Sequence, residues 1–246
     1  MRLTEHIYLV GGGDVGFGLS HPVDCHVYVV TDGTTAALID SGVGIDIDPI
    51  LRNIHDDGLS LDSIERVLIT HAHADHSGGC GKWRELLGVE VCVPKGVRRS
   101  LEEADEDALY LTQARAAGRY PADYRFQAVE VGQEVSEGDE IQVGSLTLAV
   151  VENPGHSRPH VGYMLESDGR SCLFGGDFLF HGGKIMLLNT AECSITDYAN
   201  SMEKFRGAGL DALLPGHGAI SLSGAQAHVD AALARFDELA VPPNFL

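Results

Sequence analysis

Ten consecutive residues, Thr70-His71-Ala72-His73-Ala74-Asp75-His76-Ser77-Gly78-Gly79, constrain this chain more than any other stretch. Three imidazoles and one carboxylate fall within six residues, directly after the apolar run Val67-Leu68-Ile69. A run so short, apolar and β-branched reads as a buried strand. The polar segment behind it then lies at the strand's carboxyl end. Ala72 and Ala74 leave room between the ligating side chains. Imidazole nitrogen is a preferred zinc ligand and carboxylate oxygen a workable one. The loop therefore reads as a metal-binding element rather than a solvated turn.

A simpler version of the design recurs three times. Pro154-Gly155-His156 follows a strand ending near Val151, Gly175-Gly176-Asp177 follows Cys172-Leu173-Phe174, and Pro215-Gly216-His217-Gly218 follows Leu213-Leu214. Each is an apolar strand, a glycine and one donor. Glycine lets the backbone turn sharply and approach an ion. Alone, each Asp or His reads equally well as a turn residue. With the cluster, the donors number seven, enough for two ions: His71, His73, Asp75, His76, His156, Asp177 and His217.

The rest of the chain supplies alternating strands and helices, which predicts an α/β arrangement. Strands are expected at 7–10, 26–30 and 36–39, with Asp32-Gly33 as a hairpin turn. A helix is expected over 44–57, then one at 82–87 and a strand at 89–93. Residues 97–119 break the alternation. They are acidic and rich in helix formers, and read as a helical insertion: a lid, or a solvated surface helix. Strands resume near 127–131, 140–143, 146–151, 161–165 and 171–174. A helix near 196–206, a strand at 212–214 and a final helix near 224–239 complete the order. No linker composition interrupts the chain, so residues 1–246 read as one domain carrying the insertion.

Charge narrows the partners. The chain carries 36 acidic against 17 basic residues, a net −19. Affinity for nucleic-acid phosphates comes mainly from Lys and Arg, so a small-molecule substrate is expected rather than nucleic acid. No apolar run approaches the ~20 residues that cross a bilayer, so no membrane partner is expected. Five cysteines without a Cys-x-x-Cys pair, and an N-terminus without an apolar leader, read as a cytoplasmic protein with reduced thiols.

The order His-x-His-x-Asp-His, followed by His, Asp and His at later strand ends, resembles the metallo-β-lactamase superfamily. The resemblance runs from about residue 5 to about residue 220. Asp24-Cys25-His26-Val27-Tyr28-Val29-Val30 and Ala37-Leu38-Ile39-Asp40-Ser41-Gly42 are similar to that family's first hairpin and Asp-x-Gly turn. The resemblance implies an α/β fold, a four-layer αββα sandwich of two mixed β-sheets flanked by helices. It implies His71, His73 and His156 on one ion, Asp75, His76 and His217 on a second, and Asp177 bridging. The ions would be divalent, zinc first, with iron or manganese as alternatives.

Such a centre implies a hydrolase of a small ester, thioester or lactone. A metal-bridging hydroxide would attack, and Asp75 would pass a proton to the leaving atom. The same donors suit a mononuclear iron persulfide dioxygenase, and a non-catalytic metal-binding domain is a third reading. The chain departs from the family at His156-Ser157-Arg158-Pro159-His160, where many relatives carry Pro-Gly. Arg158 is placed near the site mouth, and His160 in a supporting role. The final helices are too short to match the glutathione-binding domain of glyoxalase II. No β-CASP-like domain follows Asp177. Gly11-Gly12-Gly13-Asp14 lacks the Lys of a phosphate loop and reads as a flexible flap. Asp40 is expected to hold the histidine loop.

Overall fold

The computed structural model describes residues 1–246. They form two compact units: residues 1–135 with 143–146, and residues 136–142 with 147–246. Each is built on a mixed sheet flanked by helices.

The first unit holds a six-stranded sheet in the order β1 (Ile7–Gly11), β2 (Val27–Thr31), β3 (Ala36–Ile39), β4 (Ile64–Leu68), β5 (Glu90–Pro94), β6 (Gln133–Val135). The β1–β2 and β2–β3 pairs are antiparallel, whereas β3–β4, β4–β5 and β5–β6 are parallel. The Asp32-Gly33 turn joins β2 to β3 as the sequence predicts. Gly33 adopts φ +95°, and Asp32 Oδ1 accepts the Thr34 and Thr35 amides, each at 2.9 Å. Those amide bonds hold the half-buried Asp32 carboxyl well below the usual carboxylate range.

Helix α1 (Asp48–Asp56) buries Ile50 and Ile54 and packs on β1. Helical spacing places those two residues on one face. The helical turn α2 (Ala74–Ser77) and α3 (Cys80–Leu87) follow β4. Trp83 of α3 is fully buried, and its indole N–H donates to Ser41 O at 3.0 Å. The core beneath these elements includes Val27, Leu38, Val67, Ile69, Val91 and Trp83.

Two segments differ from the sequence expectation. Residues 127–131 are not a strand, and the sheet edge is instead formed by β6 at 133–135. Phe126, Val129 and Val131 are buried as expected of a strand, but their amides are satisfied by Glu106, by the Leu101 carbonyl and by Glu102. The insertion captures this backbone before a sheet partner can. The glycine loop after β1 is also less free than a flap. Leu19 N donates to Gly12 O at 2.7 Å, and Asn53 Nδ2 donates to both Val10 O (2.8 Å) and Leu19 O (3.1 Å). Only its tip, with Val15 and Phe17, is exposed.

The second unit holds a five-stranded sheet in the order β11 (Ala212–Pro215), β10 (Arg170–Gly176), β9 (Val161–Ser167), β8 (Leu146–Glu152), β7 (Glu140–Val143). β10 and β11 are parallel, and β9 is antiparallel to both β10 and β8. Helices α6 (Ile195–Glu203) and α7 (Gln226–Asp237) pack on each other. Leu173, Phe178, Tyr198, Met202, Leu213 and Val229 contribute to this unit's core. No helix of either unit is long and apolar enough to cross a membrane.

Gly79, which precedes α3, gives a first test. Its backbone (φ −77°, ψ −14°) suits any residue, so alanine there would by itself stabilise by about 0.4–1 kcal/mol. A Cβ would, however, run into the carbonyl oxygen of Ser41, a backbone group that cannot swing away. Overpacking of that kind costs about 1–3 kcal/mol. Gly79→Ala is therefore expected to lower the thermal midpoint, and a raised midpoint would show that the loop yields freely.

Candidate metal centre

In the first unit, parallel pairing of β3 and β4 sets the geometry. Ile39 lies opposite Leu68, so Asp40 leaves β3 beside the residues that leave β4. Asp40 adopts φ +60°, a left-handed conformation that costs a non-glycine residue of order 1 kcal/mol or more. Its carboxylate explains why the conformation persists. Oδ1 accepts the Thr70 amide at 2.8 Å, and Oδ2 accepts the Thr70 hydroxyl at 3.0 Å and His76 Nδ1–H at 2.8 Å. Asp40 thus holds the histidine loop, as the sequence predicts.

The histidines are oriented in turn. Thr70 Oγ1 gives its proton to Asp40, so it accepts from His71 Nδ1–H at 3.1 Å. That leaves His71 Nε2 as the lone-pair nitrogen, 3.1 Å from His73 Nδ1. Two nitrogens bound at ~2.0–2.1 Å to one tetrahedral ion would stand about 3.3 Å apart, so this pair fits a shared ion. His76 likewise spends Nδ1 on Asp40 and turns Nε2 to Asp75 Oδ2 at 3.6 Å. His71 and His76 are buried, whereas His73 and Asp75 are half-buried. The α2 turn displays Asp75 and His76, and His76 N donates to His73 O at 3.0 Å to close it.

A residue that the sequence reading does not single out completes this half. Tyr120 Oη donates to Asp75 Oδ1 at 2.8 Å and accepts the Asp75 amide at 3.3 Å. Burial, and next the neighbouring Asp75 charge, push the Tyr120 phenol well above its ordinary pKa, so it is a donor at any working pH. No local pattern marks it, because Tyr120 stands 45 residues from Asp75 in sequence.

The second unit brings His156, Asp177 and His217 together. Asp177 and His217 follow the carboxyl ends of the neighbouring parallel strands β10 and β11, and His156 follows β8. Asp177 Oδ2 lies 3.6 Å from both His156 Nε2 and His217 Nε2. His156 donates Nδ1–H to Met186 O at 3.1 Å, again leaving Nε2 for an ion. Carbonyl and carboxylate partners on the outer imidazole nitrogen are the usual support of a metal-bound histidine.

His160 is not a donor of this set. It gives Nδ1–H to Asn153 Oδ1 at 2.7 Å and accepts the Asp177 amide on Nε2 at 3.3 Å, so both ring nitrogens are spent on holding Asp177. Tyr198 Oη, which lies 2.9 Å from Met186 O, also reaches the Asp177 carbonyl at 3.2 Å. Arg158 pairs with Asp197 rather than with any donor. Each unit thus offers a convergent set of imidazole and carboxylate donors, with the outer nitrogens of His71, His76 and His156 already engaged, and these sets fit divalent metal ions.

A family model described as the metallo-beta-lactamase superfamily matches residues 21–217. A hydroxyacylglutathione hydrolase of Hahella chejuensis is 30% identical over 155 residues, 63% of this chain and 47% of that protein. The acyl-coenzyme A thioesterase MBLAC2 of Bos taurus is 28% identical over 213 residues, 78% of this chain and 72% of that protein. The chain spans about half the length of the hydroxyacylglutathione hydrolases it matches. Among solved structures, a metallo-beta-lactamase of Cronobacter sakazakii superposes with TM-score 0.73 at 19% identity, covering 97% of this chain and 96% of that one. BJP-1, a subclass B3 metallo-beta-lactamase of Bradyrhizobium japonicum, gives TM-score 0.70 at 23% identity over 97% and 92%. At such identities the likeness shows the fold alone.

Proposed function

The chain belongs to the metallo-beta-lactamase superfamily, and from that premise we propose that it is a metal-dependent hydrolase of a small ester, thioester or lactone, a thioester first. The observation that carries this reading is the donor chemistry: two sets of buried or half-buried imidazoles and carboxylates, with His71, His76 and His156 anchored through Nδ1 to Thr70, Asp40 and Met186. All seven donors lie inside the matched stretch. In this reading His71, His73 and His156 would hold one ion, Asp75, His76 and His217 would hold a second, and Asp177 would serve both. Zinc is the first choice, with iron or manganese accepted by the same donors. The named relatives favour a thioester, since hydroxyacylglutathione and acyl-coenzyme A are both thioesters.

When bound, two divalent ions would supply Lewis acidity and lower the pKa of water toward neutrality. The remaining work falls to the chain. Asp40 and Thr70 keep His71 and His76 in the tautomer that presents Nε2. His160 and Tyr198 fix the Asp177 backbone from which its carboxylate projects. The Asp75 carboxylate takes a proton from the attacking water and returns it to the leaving atom. A thiol with pKa near 8.5 leaves readily as its anion. Asp75 therefore matters less to departure from a thioester than from an oxygen ester.

The acidic surface, net −19, suits a small-molecule substrate rather than nucleic acid. Five free cysteines, four of them buried, suit a reducing cytoplasm. The test is a panel of thioesters, oxygen esters and lactones offered to the zinc-loaded protein, with thiol or acid release followed before and after chelation. Turnover of thioesters that chelation abolishes and zinc restores is expected. Silence across the panel, or oxygen uptake with a persulfide, would sink the reading.

A further inference from the structure

The 97–126 segment does more than interrupt the sheet. It contains α4 (Arg98–Glu102) and α5 (Leu111–Ala116), and near its end carries Tyr120-Pro121-Ala122-Asp123-Tyr124. Tyr120 and Tyr124 stack with ring centroids 5.7 Å apart and 17° between planes. Tyr124 Oη donates to Val43 O at 2.8 Å. Arg115 of α5 donates to Tyr124 O at 2.8 Å and pairs with Glu106 at 2.6 Å. Glu106 in turn accepts the Phe126 amide at 3.1 Å. The segment is thus tied together through Glu106, Arg115 and Tyr124, and the Tyr120 hydroxyl is the group it hydrogen-bonds to Asp75.

That hydroxyl meets Asp75 twice, once at Oδ1 and once at the amide nitrogen. Together the two bonds tie the carboxylate to its own backbone through a single oxygen atom. A carboxylate on one turn of helix would otherwise rotate about two side-chain bonds. With Oδ1 engaged, Oδ2 lies 3.6 Å from His76 Nε2. A partner that orients a ligand in this way is worth about 10–100-fold in metal affinity.

We propose that Tyr120 is a positioning residue for the ion held by Asp75 and His76, and that the 97–126 segment serves to deliver its hydroxyl to Asp75. The proposal rests on the reading of Asp75 as a metal ligand. It assigns the insertion a role independent of covering substrate.

The test is a competitive zinc titration of the metal-free protein against a chromophoric chelator, which yields stepwise constants, with cobalt absorption as a spectroscopic check. Tyr120→Phe keeps the ring and its stack and removes only the hydroxyl. It is expected to bind the first ion as the wild type does and the second about 10–100-fold more weakly, with a changed cobalt spectrum. Turnover should fall in kcat while KM holds, because Tyr120 acts through Asp75. Tyr124→Phe removes the neighbouring hydroxyl, bonded to Val43 O instead, and should leave both constants in place.

Unchanged constants in Tyr120→Phe would overturn the proposal, as would an equal loss in Tyr124→Phe, which would point to packing. Asp75→Asn separates the two levels. If it loses the second ion while Tyr120→Phe keeps it, the positioning role alone fails. If Asp75→Asn binds both ions as tightly as the wild type, the ligand reading fails and takes the proposal with it.

Discussion

His71→Ala is expected to bind one metal ion fewer per chain and to lose more than about a hundredfold in turnover, since removal of an outer partner alone costs up to that much. His71 Nε2 is the lone-pair nitrogen left once Nδ1 is given to Thr70, and alanine offers no substitute. The chain should still fold. Both units have apolar cores that do not include His71. A buried truncation of this kind costs about 1–3 kcal/mol, which moves the thermal midpoint of a chain this long by about 10 °C or less. Metal analysis and turnover on the same preparation decide the matter. Wild-type values for both would remove His71 from the centre.

The second large effect is expected in Asp177→Asn. Asparagine matches aspartate in size, and the His160 and Tyr198 bonds reach only the Asp177 backbone, so the loop that carries the side chain should stay in place. What changes is charge. A bridging carboxylate lowers the repulsion between two dications, and a neutral amide does not. Metal content should drop from about two ions toward one, and turnover by orders of magnitude, if the centre is dinuclear. Elemental analysis of wild type and variant from one growth medium is the measurement. A wild type that holds one iron and consumes oxygen with a persulfide would overturn the hydrolase reading whatever the variant did.

What the sequence made legible was local. His71, His73, Asp75, His76, His156, Asp177 and His217 each follow an apolar run, the last three directly behind a glycine, and the structure places them beyond strand ends, Asp75 and His76 on the α2 turn. Asp40 was legible for the same reason, since it follows β3 directly. The misread pieces depend on partners distant in sequence. Residues 127–131 have the pattern of a strand, but Leu101, Glu102 and Glu106 claim the neighbouring amides first. Nothing near Gly12 announces that Asn53 will pin its loop. Tyr120 is invisible for the same reason, because no periodicity links a tyrosine after α5 to a carboxylate on α2.

The β10–β11 ladder has a consequence in time. Its rungs join Cys172 to Ala212 and Phe174 to Leu214, strands separated by a long stretch of chain that includes α6. Pairings between such distant segments form late, because the entropy of closing the intervening chain must be met before any contact rewards it. Asp177 and His217 hang from the ends of those two strands, so neither has its neighbour until the ladder is complete. An ion arriving early would find only the four donors of the 71–76 loop. On the proposed reading of the seven donors, metal loading is therefore expected to follow folding, the reverse of small zinc domains in which the ion creates the fold.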